Sequence, residues 1–126
     1  MKGILPRVTA NKINELSWLD ELDALQADPL HHRLLFENDR VRVLDTRIPP
    51  GEITEIHTHK WPASLYVLSW SDFIRCDGEG NQVLDSRTLT TTPAPHTALW
   101  SEALVPHTLK NIGDSEIHII SVEIKE

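Results

Sequence analysis

The chain has 126 residues, 40% of them hydrophobic, a net charge of −7 and one cysteine. That length makes one domain with room for a real core, the negative charge argues against nucleic acid or an anionic membrane as partner, and the single thiol, Cys76, excludes an internal disulfide framework. No run approaches the ~20 consecutive apolar residues of a spanning helix, and the start, Met1-Lys-Gly-Ile-Leu-Pro-Arg7, lacks the apolar stretch of a secretory leader, so a cytoplasmic location is expected.

Residues 11–27 read as a helix. Asn11 is a fitting N-cap, Leu16, Trp18, Leu19, Leu22 and Leu25 cover one broad face, and Asp28-Pro29 stops the element because a residue before proline disfavours the helical region. Residues 1–30 are therefore expected to form a helical extension that packs on a β-domain of residues 31–126 or on a partner subunit. From residue 31 short strands follow at regular spacing: 31–37, 40–48, 65–69, 72–76, 83–90, 97–101, 106–111 and 116–124. Along 40–48, Val41 and Val43 alternate with Arg40 and Arg42, which predicts a half-buried strand with its valines inward. Asp77-Gly-Glu-Gly-Asn81 reads as a hairpin turn, with two glycines able to take positive φ. His31 and His32, ahead of the main motif, read as ordinary surface residues.

The stretch from Gly51 to Trp70 carries the chemistry. His57 and His59 stand at i and i+2, and on an extended strand both point to one face. On a helix they would lie about 200° apart and could not share an ion. Pro49-Pro50-Gly51 before the pair and Trp61-Pro62 after it bound a short strand. Neutral imidazole is a good ligand for first-row transition metals, so the pair is half of a metal site. A third candidate, His107, follows Pro106 in the second half of the chain.

These residues resemble the motifs of the cupin superfamily. Gly51, His57 and His59 match its first motif in position, and His107 with Asn111 matches the end of its second, so that the resemblance spans roughly residues 34–124. It implies an all-β double-stranded β-helix, a jelly-roll barrel with an N-terminal helix, in which His57, His59 and His107 hold a divalent transition metal such as Fe, Ni, Zn or Mn. The departures are informative. The acidic ligand of the first motif would fall at Ala63 or Ser64, its closing glycine is Trp70, and His96, Glu102 and Leu104 replace usual glycine and proline positions of the second. Some cupins, thiol dioxygenases among them, lack the acidic ligand and use three histidines. Three neutral ligands would leave the ion its full charge and favour an anionic substrate.

Other residues have two readings each. Tyr66 could donate a hydrogen bond to a metal-bound ligand or be a core tyrosine. Glu102 could replace the missing carboxylate or act as general base, or lie on a surface loop. His118, in phase with Ile120 and Val122, reads as a satisfied core histidine. Arg47, Arg75 and Arg87 are candidates for clamping a carboxylate, with nothing in the sequence to select one. The expected function is a mononuclear metal enzyme, dioxygenase-like, acting on a small anionic metabolite. The alternatives are a non-catalytic module binding a small ligand or metal, and a metal-independent isomerase resembling the sugar-nucleotide epimerases. The resemblance also implies a homodimer.

Overall fold

In a computed structural model, residues 15–125 are described. Among these residues nine strands form two antiparallel sheets: β1 (His32–Glu37), β2 (Val41–Ile48), β3 (His57–His59), β4 (Ala63–Ser69), β5 (Phe73–Asp77), β6 (Gln82–Asp85), β7 (Thr97–Ser101), β8 (Leu104–Asn111) and β9 (Ile117–Ile124). One sheet has the order β1-β2-β9-β4-β7 and the other β3-β8-β5-β6. Strands distant in sequence are thus neighbours, and the two sheets close over a common interior. All nine strands expected from the sequence are present. The strand expected over 83–90 is shorter, because Asp85 accepts from the backbone N–H of Arg87 and turns the chain into a 3-10 segment at Ser86–Thr88.

Register fixes what faces inward. β2 and β9 pair Arg42 with Glu123, Leu44 with Ser121, Thr46 with Ile119 and Ile48 with Ile117. Residues directly opposite in a sheet share a face, and this set faces the interior. The expected phase of β2 is therefore reversed: Arg42 is 6% exposed, whereas Val41 and Val43 lie on the outer face. The reversal is possible because Arg42 has buried partners. Its Nε donates to Glu123 at 2.6 Å, and its two terminal nitrogens fork onto Asp23 at 2.8 and 2.9 Å.

The same fork shapes the N-terminal segment. The helix expected over 11–27 is broken: its first residues, 11–14, lie outside the described chain, and the rest is two 3-10 turns, Glu15–Trp18 and Asp20–Leu22, followed by α1 (Ala24–Ala27). Leu19 and Asp23 are extended, with ψ of 138° and 141°. Asp23 caps α1 through the N–H of Leu25, serves Arg42 with the same carboxylate, and bridges to Thr58 between His57 and His59. A continuous helix could not present that carboxylate to both Leu25 and Arg42 and also leave the Asp23 backbone free for its bridge to Thr58. α1 lies against β1 and β3, so this segment is built into the wall of the barrel.

At one end the interior is filled by Ile48, Phe73 and Ile117 with Trp70, Leu84, Leu109 and Ile119 around them. Fully buried Asn111 seals that end: its amide donates to the carbonyls of Ile48 and Ser115, both at 2.8 Å, and its oxygen accepts from the N–H of Gly113. Gly51 takes φ +84° in the turn that leads to β3, and of the two glycines in the 77–81 hairpin Gly80 takes positive φ, at +89°. His118 is satisfied, by Asp45 at 2.8 Å, but on the outer face of the sheet.

Candidate metal centre

At the other end the interior holds a cavity of about 120 Å³. β3 supplies His57 and His59 there and β8 supplies His107. His57 and His107 face each other directly in register, which places their ring centroids 4.4 Å apart. The His57 and His59 rings are 4.9 Å apart and the His59 and His107 rings 5.8 Å, so the structure brings the three expected ligands together.

A fourth histidine joins them. His32, on β1, comes from the opposite sheet, with its ring 4.7 Å from His57 and 5.3 Å from His59. His32, His57 and His59 form the tightest group, each offering one ligand nitrogen within 4.8 Å of the others, while His107 packs against His57. The expectation that His31 and His32 lie on the surface is therefore corrected: each is 4% exposed. Buried Asp28 holds both, its carboxylate bonding His31 Nδ1 at 2.9 Å and its carbonyl accepting from His32 Nδ1 at 3.1 Å. His31 turns the other way and reaches Glu52 through Nε2 at 2.7 Å.

The hydrogen bonds fix the tautomers. Nδ1 of His57 donates to the carbonyl of Glu55 at 2.8 Å, Nδ1 of His107 to that of Val105 at 2.7 Å, and Nδ1 of His59 to the Glu123 carboxylate at 3.2 Å. With His32 on Asp28, all four rings give their Nδ1 proton to an oxygen that can only accept. Each neutral ring then carries its lone pair on Nε2, and among the described residues no protein group hydrogen-bonds that atom. This is the arrangement in which an outer oxygen orients an imidazole toward a metal and raises its basicity.

Electrostatics keep His57, His59 and His107 neutral. Burial, then the neighbouring His107, His59 and His32, pushes the His57 pKa far below its usual value near 6.5. Burial and then His59 bring His107 down to about 3. Burial also lowers His59, against the opposing pull of Glu123. Burial raises Glu123, but hydrogen bonds from His59 and Arg42 outweigh it and hold the carboxylate ionised. Arg75, the remaining charged residue lining the cavity, is pushed down by burial alone.

These shifts carry a pH prediction for the metal-free protein. A ring held neutral in the fold but free to titrate in the unfolded chain makes the unfolded state bind more protons below pH 6.5. Stability is then full above that pH and falls below it, by up to about 1.4 kcal/mol per pH unit for each such ring. His31, whose pKa is raised because Asp28 and Glu52 outweigh its burial, acts in the opposite sense but is one group against three. Urea midpoints of the chelated protein should fall between about pH 7.5 and pH 5; a flat profile would contradict the neutral cluster.

Tyr66 and Glu102 are not brought to the cluster. Ala63 and Leu65 of β4 face the cavity, so Tyr66 lies on the outer face, 42% exposed, with its hydroxyl 3.5 Å from His96 Nδ1. Glu102 is exposed after β7 and accepts from the indole of Trp100 at 2.7 Å. Ala63 and Ser64 supply no carboxylate. Glu123 on β9 does not take the acidic ligand's place either: it holds His59 from behind, through Nδ1.

The architecture recurs in solved structures. A cupin domain from Bordetella pertussis Tohama I superposes with a TM-score of 0.59 at 24% identity, over 75% of this chain and 92% of that one. An RmlC-like cupin with a double-stranded β-helix fold from Methanocaldococcus jannaschii gives a TM-score of 0.51 at 12% identity, over 74% and 77% of the two chains. The chain has the cupin fold. A double-stranded β-helix protein from Klebsiella pneumoniae matches this barrel similarly, with a TM-score of 0.50 at 17% identity over 74% of each chain. No protein-family model and no curated protein matches the sequence. Among the described residues no helix is long and apolar enough to cross a membrane.

Proposed function

We propose that this cupin is a mononuclear metal enzyme in which His32, His57, His59 and His107 hold a divalent first-row ion and a small anionic metabolite is the substrate. The observation that carries this reading is the common tautomer: four buried or half-buried imidazoles with Nδ1 engaged and Nε2 free, around one cavity. The donor set fits Fe, Ni, Cu or Zn, because it is made of neutral nitrogens with no hard oxygen. An ion held there supplies a Lewis acid and, for a redox-active metal, electrons for oxygen chemistry. His32 takes the place of the acidic ligand, so the protein ligands stay neutral and an anion is attracted to the ion's uncompensated charge.

The protein's own residues supply the rest. Glu123 and the carbonyls of Asp28, Glu55 and Val105 orient the rings, and the aliphatic walls of β4, β8 and β9 exclude bulk water. An iron-dependent dioxygenase is the leading version, because four imidazoles leave two positions of a six-coordinate ion free. The second reading is a non-catalytic module, and it is favoured by the same fourth histidine if the metal is zinc, since four ligands complete a tetrahedral site. An epimerase acting on a sugar nucleotide lacks support: among the described residues Arg75 is the sole arginine or lysine lining the cavity, too few cations for a diphosphate.

Elemental analysis of untagged protein tests the proposal. About one equivalent of iron, nickel or copper per chain supports the enzyme, one of zinc supports the closed module, and none after reconstitution sinks both. We also propose a homodimer, supported by Phe36 and Trp100, both more than half exposed on the outer face of the five-stranded sheet. A monomer mass by light scattering would remove it.

A further inference from the structure

We propose that Arg75 anchors the carboxylate of a small organic acid bound in the histidine cavity. The sequence leaves three arginines equivalent, and the structure separates them. Arg47 pairs with Asp45 at 3.2 Å and Arg87 with Asp85 at 2.8 Å, both with side chains more than half exposed. Arg75 sits on β5 opposite Leu109, faces the interior and lines the cavity. Its Nε is sealed from solvent with no hydrogen-bond partner, and among the described residues no carboxylate pairs with it.

A guanidinium so placed is costly. Buried cations are kept where they meet an anion, and the described residues provide none: Glu123, the carboxylate of the cavity, is committed to Arg42 and His59. The missing partner is a ligand. One guanidinium presents two parallel N–H groups, which match a single carboxylate, whereas a phosphate dianion calls for more positive charge than this wall holds. Leu65, Leu104 and Ile119 line the space between and suit a short hydrocarbon body. Arg75 is one step along the barrel from His107, since Asp77 is the residue that faces His107 across β5 and β8. An acid gripped by Arg75 therefore extends toward the histidines. This inference rests on the proposed metal site only for the far end of the ligand, not for the carboxylate contact.

The test is isothermal titration calorimetry with propionate and its neutral isostere propionamide, on protein as purified and after metal removal, with metal content measured in every sample. Propionate should bind about 10- to 100-fold more tightly than propionamide in both samples. Arg75→Met should lose that preference while keeping its metal, and in the absence of ligand it should melt above the wild type, because an unpaired buried charge has gone. Equal binding of the two probes, no binding of propionate, wild-type preference in Arg75→Met, or tighter binding of inorganic phosphate than of propionate would each overturn the proposal. The wild-type comparison stands even if the variant fails to fold. A preference for propionate in protein that never acquires metal would sink the metal site and keep the anchor; full metal content without the preference would do the reverse.

Discussion

Arg42→Met should cost about 3–5 kcal/mol of unfolding free energy, the range for removing one partner of a buried ion pair. The Arg42 and Glu123 side chains are 7% and 1% exposed, and the pair is joined at 2.6 Å. Losing the guanidinium leaves Glu123 with only His59 as a donor, in a site where burial already opposes its charge. It also frees Asp23, so the junction of α1 with β3 loosens. Urea denaturation of the metal-free protein measures the loss. Adding Glu123→Gln to Arg42→Met should recover much of it, because the stranded charge is then gone. A single-variant loss below about 1 kcal/mol would mean that the pair is no better than a surface salt bridge.

His32→Ala and His57→Ala should each abolish stoichiometric metal while preserving the β-sheet circular dichroism. The two variants ask different questions. His57 is at the centre of the cluster, within 5 Å of the ring centroids of His32, His59 and His107. Its removal should be the most damaging, and undiminished metal in His57→Ala would rule out the site altogether. His32→Ala tests whether a histidine from the far sheet replaces the acidic ligand. If it binds metal as tightly as wild type, His57, His59 and His107 suffice and His32 merely packs beside them. Neither ring belongs to the apolar cluster around Ile48, Phe73 and Ile117, so the fold should survive both changes.

The contrast between His57 and His32 shows what was legible in the sequence. His57, His59 and His107 could be found because two of them share a strand and the third follows a recognisable spacing. Pairing of β3 with β8 then had to bring them together. His32 was hidden by its context. Two adjacent histidines point to opposite faces of a strand, so one of them always looks superfluous, and Asp28-Pro29 reads as a helix stop rather than as the carboxylate and carbonyl that bury both rings. A usable signal did exist: with Ala63 and Ser64 in the acidic position, some other donor had to fill the site. Arg42 misled for a related reason. Alternation of valine and arginine predicts a strand, but the choice of inner face depends on Asp23 and Glu123, 19 and 81 residues away. Local patterning marked the elements; the phase of β2 and the break in the N-terminal helix were set by ion pairs that only the folded chain assembles.

The positions of β1 and β3 have a consequence for the whole barrel. Each is the outermost strand of its sheet, β1 of the five-stranded and β3 of the four-stranded one. Outermost strands have one unpaired side and are the first to fray. His32 on one and His57 with His59 on the other make any shared ion a rivet between two hems. Loading it would join segments far apart in sequence across a seam where β1 and β3 do not pair with each other. The mouth of the barrel would then stiffen with occupancy, so that the availability of a metal, and not the sequence alone, governs how long the closed form lives before its edges part.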